Sequence, residues 1–180
     1  MEAKELFDEA LEWLKKNYNK HDFFNERDIE YRLHKYIKDK ISEKNLPFQV
    51  FNDWPLESGR KYVDLVIRKK DETSDFKVEV AIELKYEPDK KRGGDDLRKG
   101  KLEQSTVFWC NKQGQSSVEG DIKRAHDYVW DKKATAAYAI FVDEGCRFYY
   151  KHKHDKPDVA KWDEGWKKGM AVLIVKYPLV

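Results

Sequence analysis

Two short runs of alternating residues constrain this chain more than any other feature. The first is Lys61-Tyr-Val-Asp-Leu-Val-Ile67 and the second is Val78-Glu-Val-Ala-Ile-Glu-Leu-Lys-Tyr86, with the polar stretch KKDETSD at 69–75 between them. Side chains on a strand alternate between its two faces, so Val78, Val80, Ile82 and Leu84 share one face and Glu79, Ala81, Glu83 and Lys85 the other. In the first run Val63, Leu65 and Ile67 form the apolar face, which turns Asp64 away from it with Tyr62 and Val66. The polar stretch reads as a hairpin connection. A loop centred on Thr73-Ser74 sets Asp64 directly opposite Glu83. A slip of two residues still leaves it on the same face, opposite Ala81. Only an odd slip separates the acids, and it would also expose the apolar face.

Aspartate is depleted in strand interiors, so Asp64 asks for a reason. Two carboxylates about 4.5–5.5 Å apart across a strand pair repel each other unless a cation lies between them. Mg²⁺ or Mn²⁺ suits such a place, because Mg²⁺ takes one or two carboxylates together with waters and phosphate oxygens. The carbonyl of Leu84 offers a further oxygen, and Lys85 would stand beside the ion, able to orient a water or neutralise a phosphorane. The simpler alternative is an ion pair on a solvent-facing sheet.

Val63-Asp64 followed by Glu83-Leu84-Lys85 resembles the motif of the PD-(D/E)XK nucleases, the restriction-endonuclease-like superfamily, with Val63 in place of the proline. The resemblance implies an α/β (α+β) core of helix, three meandering strands, helix and strand, its mixed central β-sheet flanked by helices. It implies Asp64 and Glu83 as metal ligands, Lys85 as the catalytic lysine and DNA as the substrate, with RNA second. It also implies a glutamate on the helix before the strands. Asn25 is a good N-cap for such a helix and Asp28 complements its dipole. Ile29, Leu33, Tyr36, Ile37 and Ile41 form its apolar stripe. Glu26 lies one turn before Ile29 and Glu30, close to the centre of that stripe, and Glu30 lies at its edge. Glu26 is the candidate acid, weighed evenly against plain dipole complementation.

Composition fits a single folded domain over 1–180: hydrophobic residues are 40%, aromatics 14% and charged residues 39%, enough apolar material for one core. The net charge of +2 does not announce a nucleic-acid-binding protein, so phosphate binding would need a local patch. Lys90, Lys91, Arg92, Arg98, Lys99 and Lys101 supply one directly after the Glu83-Lys85 strand, although a charge run is more often a solvated surface. No apolar run is long enough to span a bilayer, and no signal peptide pattern opens the chain. Cys110 and Cys146 lack metal-ligand spacing, and the expectation is a cytoplasmic protein with free thiols. One site per chain cuts two strands together only if chains pair, so a homodimer is expected. The contrasting expectation is a catalytically silent module of the same fold that binds nucleic acid or protein.

Periodicity predicts helices over 3–19, 26–43, 95–111 and 121–132. Strands are predicted at 48–53, through both diagnostic runs, at 135–143 and at 170–177, with Arg147–Lys151 pairing with the 135–143 strand. Lys123, Arg124, Gln104 and Glu57 are secondary candidates near the site. His152 and His154 read as a solvated turn. His34 and His126 pair with no nucleophile. Trp162 and Trp166 read as a core or interface stripe.

Overall fold

The computed structural model describes residues 1–56, 62–74, 77–89, 107–108, 117–155 and 161–178. The basic run Lys90–Lys101, Glu57, Gln104 and all but two residues of the expected 95–111 helix lie outside the described residues. Helix α1 (Ala3–Asn17) leads through a short 3-10 turn (Tyr18–Lys20) to α2 (Glu26–Glu43). Strands β1 (Phe48–Pro55), β2 (Tyr62–Lys69) and β3 (Val78–Glu87) follow as an antiparallel meander. Helix α3 (Val118–Trp130) then leads to β4 (Ala134–Asp143), which lies parallel to β3. A single turn, α4 (Tyr149–His152), precedes β5 (Lys161–Asp163) and β6 (Ala171–Tyr177). The six strands form one mixed sheet in the order β1-β2-β3-β4-β6-β5, so the fold is α+β.

Both faces of the sheet are covered. Leu65, Ile67, Val80, Ile82 and Tyr138 pack beneath α1 and α2, against Phe7, Ile29, Leu33 and Ile37. Val66, Ala81, Ala137 and Phe141 pack on the other face, beneath Ala125 and Tyr128 of α3. Covering both faces explains why Glu83 and Glu87 of β3 are buried and Glu79 and Lys85 only partly exposed.

The start of α2 is fixed by its own residues. The Asn25 side chain accepts the Asp28 N–H at 3.2 Å, and the Asp28 carboxylate accepts the N–H groups of Asn25 at 3.2 Å and Phe24 at 2.7 Å. This reciprocal cap sets the first turn, and with it the position of Glu26.

The segment after β4 departs from expectation. Arg147–Lys151 does not pair with β4. The buried carboxylate of Asp143 accepts the N–H groups of Arg147 at 3.1 Å, Phe148 at 2.7 Å and Tyr149 at 2.9 Å. Amides satisfied in this way start a helical turn instead of a ladder, and Cys146, at φ 52°, bends the chain away from the sheet. The place beside β4 goes to β6, and Trp162 lies on the short edge strand β5.

The packing of α2 is tested by truncation. Ile29 is fully buried whereas Tyr31 is 61% exposed. Ile29→Ala is expected to cost about 2–5 kcal/mol of unfolding free energy in urea, and Tyr31→Ala less than about 0.5 kcal/mol.

Candidate functional site

The β2–β3 ladder pairs Ile67 with Val80, Val66 with Ala81 and Leu65 with Ile82. Its continuation sets Asp64 across from Glu83, as the loop centred on Thr73-Ser74 requires. There the backbone pairing ends. The Leu84 N–H donates to Asp64 Oδ2 at 2.7 Å, so a side-chain carboxylate stands where a strand carbonyl would be. Beyond this point β3 continues to Glu87 against β4. The Leu84 carbonyl leaves its strand on the same side as its N–H, toward β2.

Two helices close on this opening from opposite sides. Helix α2 brings Glu26 and the buried Glu30, one turn apart, and oxygens of Glu26, Glu30 and Asp64 lie within 4.8 Å of one another. Glu30 also faces Asn52 Nδ2 at 3.5 Å and Arg27 at 3.7 Å. Lys85 Nζ lies between the helices, 3.4 Å from Glu26 Oε2 and 3.6 Å from Asp121 Oδ2. Helix α3 brings Asp121, Arg124 and Tyr128. Arg124 Nη2 donates to Glu83 Oε2 at 2.8 Å and to Asp121 Oδ1 at 2.5 Å. The Tyr128 hydroxyl donates to Glu83 Oε1 at 2.6 Å.

The sequence candidates Asp64, Glu83, Lys85 and Glu26 therefore meet, in an arrangement that the motif alone does not specify. Both oxygens of Glu83 are held by α3, and Glu30 joins Glu26 and Asp64 in the close carboxylate set. Glu26 and Glu30 both stand beside Asp64. Arg124, a secondary candidate from sequence, is a central contact. Asp121 and Tyr128 were missed. Their spacing from Arg124, i−3 and i+4, places all three on one face of α3. Such spacing is ordinary on exposed helices, and only burial distinguishes it here. Other tempting residues lie elsewhere. The His152 ring stacks on Phe108 and bonds to Asp155, and Trp166 is buried in the core.

Carboxylates outnumber cations at this place. Glu26, Glu30, Asp64, Glu83 and Asp121 share Lys85 and Arg124, with Arg27 at the rim. Burial, and then the neighbouring charge of Glu83, pushes Asp64 from the ordinary 3.8 up to about 8. Burial pushes Glu30 to about 7 and Asp121 to about 7, against the opposing charges of Arg27 and Lys85 respectively. Burial also raises Glu26. For Lys85 burial opposes the charge, but Asp121, Glu26 and Asp64 outweigh it and hold the ammonium above its usual range. Burial and Glu83 keep the Tyr128 phenol protonated as a donor. Asp121 Oδ2 is buried without a hydrogen-bond partner among the described residues, facing Lys85 at 3.6 Å. An electronegative recess lined by oxygens, with an ammonium at its side, is chemically matched to a hard divalent cation.

The excess charge predicts a pH dependence of stability. In the folded state Asp64, Glu30 and Asp121 keep protons that the unfolded chain has lost above about pH 4. The folded state thus binds more protons between about pH 4 and about 8, and stability falls as pH rises through that window. In EDTA, urea unfolding is expected to show this decline, and Asp64→Asn is expected to be more stable than wild type at pH 8 but not at pH 5. Stability that rises across the window would contradict the charge imbalance.

Comparisons with protein-family models, with curated proteins and with solved structures found no match, so the reading of this site rests on its own geometry.

Proposed function

We propose that this protein is a metal-dependent nuclease that hydrolyses phosphodiester bonds, with DNA as its substrate. The observation that carries the reading is the meeting of Asp64, Glu83 and Lys85, together with Glu26 and Glu30, where the β2–β3 ladder opens. The order helix, three-strand meander, helix, parallel strand supports a restriction-endonuclease-like core. Asp64, Glu83 and the Leu84 carbonyl would hold Mg²⁺ or Mn²⁺, with Glu26 and Glu30 supplying further oxygens. When bound, such an ion acts as a Lewis acid on the phosphate and lowers the pKa of a water.

The chain's own groups do the rest. Lys85, kept charged by Asp121 and Glu26, donates hydrogen bonds to the attacking water or to the oxygens that gain charge in the transition state. Asp121 is a positioning residue, because it acts by fixing Lys85 and Arg124. Arg124 supplies a second cation beside Glu83, where charge develops. The basic residues Lys90, Lys91, Arg92, Arg98, Lys99 and Lys101 follow β3 in the chain directly after the site, and this adjacency supports a role in gripping phosphates. Cutting both strands of a duplex at once would require two chains to pair. Restriction, recombination and repair are all compatible with this chemistry.

A second reading has an observation of its own. Arg124 and Tyr128 occupy both oxygens of Glu83, which favours a module that binds nucleic acid without cutting it. One assay separates the two. Purified protein is incubated with Mg²⁺ or Mn²⁺ and single-stranded, duplex and branched DNA, with RNA alongside. Cleavage is expected, with Asp64→Asn and Lys85→Ala each lowering the rate by about 10²-fold or more while circular dichroism is unchanged. Equal activity in Asp64→Asn would overturn the assignment, and binding without cleavage would establish the second reading.

A further inference from the structure

A groove leads from the carboxylate set along the seam between α2 and the edge strand β1. Two adjoining cavities of about 590 and 460 Å³ form it, and His34 and Lys38 line both. The first opens beside Glu30 and Arg27, and the second continues past Phe48 and Gln49 to Lys70. Along this seam α2 rises about 22 Å from Arg27 to Ser42 at 1.5 Å per residue.

The lining of the groove has a chemical bias. Arg27, Lys35, Lys38 and Lys70 face Glu30 and Asp39. Asp39 is paired with Lys35 at 3.3 Å and Arg27 with Asp53 at 2.6 Å, and Glu30 belongs to the site. Lys38 and Lys70 are exposed and have no acidic partner among the described residues. Tyr31, 61% exposed, lies on the same wall. His34 joins the groove to the site, since its Nδ1 bonds to Asn52 Oδ1 and Asn52 Nδ2 donates to Glu30. With the Asn52 amide giving its N–H to Glu30, its oxygen accepts the His34 Nδ1–H. The Nε2 atom is then the His34 nitrogen left for a ligand.

Resting on the nuclease reading, we propose that this α2–β1 groove is the track for single-stranded nucleic acid flanking the phosphate that is cut. Lys38 and Lys70 take backbone phosphates and Tyr31 stacks on a base. A cationic groove with an exposed aromatic is how proteins hold unpaired strands, because every base offers a π-face. In a duplex those faces are covered by neighbouring base pairs and cannot reach Tyr31. At about 3.4 Å per stacked nucleotide, the seam accommodates about six. The site thus receives its strand from the α2 side.

The test uses the full chain and fluorescence anisotropy with a labelled ten-nucleotide oligothymidylate in EDTA, over a series of salt concentrations. Lys38→Glu combined with Lys70→Glu is expected to weaken binding about 10-fold or more and to flatten the salt slope by about 1.4, since each single-strand phosphate contact contributes about 0.7. Tyr31→Ala is expected to weaken it about 10-fold. Tyr150→Ala, which removes an exposed aromatic that lines neither cavity, should bind like wild type. Unchanged affinity in the charge-reversed protein would overturn the proposal, as would an equal loss for a blunt duplex, or a polyglutamate peptide binding as tightly as the oligonucleotide. If wild type cuts DNA and the groove variants bind normally, the nuclease reading stands and the groove falls. If the groove variants lose binding but wild type never cuts, the groove stands and the nuclease reading falls.

Discussion

Asp64 does the work of a backbone carbonyl at the point where β2 and β3 part. Its carboxylate accepts the Leu84 N–H at 2.7 Å, and this one bond fixes several things at once. It ends the ladder without leaving a buried amide unsatisfied. It turns a carboxyl oxygen into the gap between the strands. It holds that oxygen close enough to α2 for Glu26 and Glu30 to crowd it. The rest of the site is a response to that crowding: Lys85 and Arg124 are drawn in, and Tyr128 and Asp121 hold them and Glu83 in place.

Such a site works against the fold that carries it. Like charges brought together out of water raise one another's pKa, and each raised carboxylate is a free-energy cost at neutral pH. The two apolar layers offset that cost. Ile29 and Leu33 anchor α2 one or two turns from Glu26, and Ala125 lies next to Arg124 beneath α3. Each helix is held by core contacts at the same turns that present its charged groups. A protein with no use for a cation could relieve the strain by changing one residue, and at Asp64 an asparagine would keep the Leu84 bond.

Much of this was legible because it depends on short-range pattern. Period-two alternation through Val63–Ile67 and Val78–Leu84 set the faces, leaving Asp64 opposite Glu83 or, after an even slip, Ala81, and the β2–β3 ladder runs in the first of these registers. The Asn25–Asp28 cap marked the start of α2 at Glu26. Contacts that depend on how helices settle on the sheet were not legible. Nothing local distinguishes Asp121, Arg124 and Tyr128 from solvent-facing helix residues, and the parallel β3–β4 pairing that brings α3 over Glu83 is a long-range event. The segment after Asp143 failed for the opposite reason. Its aromatic residues read as a strand, while a single buried carboxylate four to six residues upstream supplied enough hydrogen bonds to start a helical turn.

The central claim is that the opened strand pair gathers carboxylates for a divalent cation. Anomalous diffraction from crystals grown with Mn²⁺ tests it most directly. The account predicts a single strong peak within bonding distance of an Asp64 oxygen and at least one of Glu26, Glu30 and Glu83, absent from crystals of Asp64→Asn. No peak there, with Glu83 still bound by Arg124 and Tyr128 at saturating Mn²⁺, would contradict it.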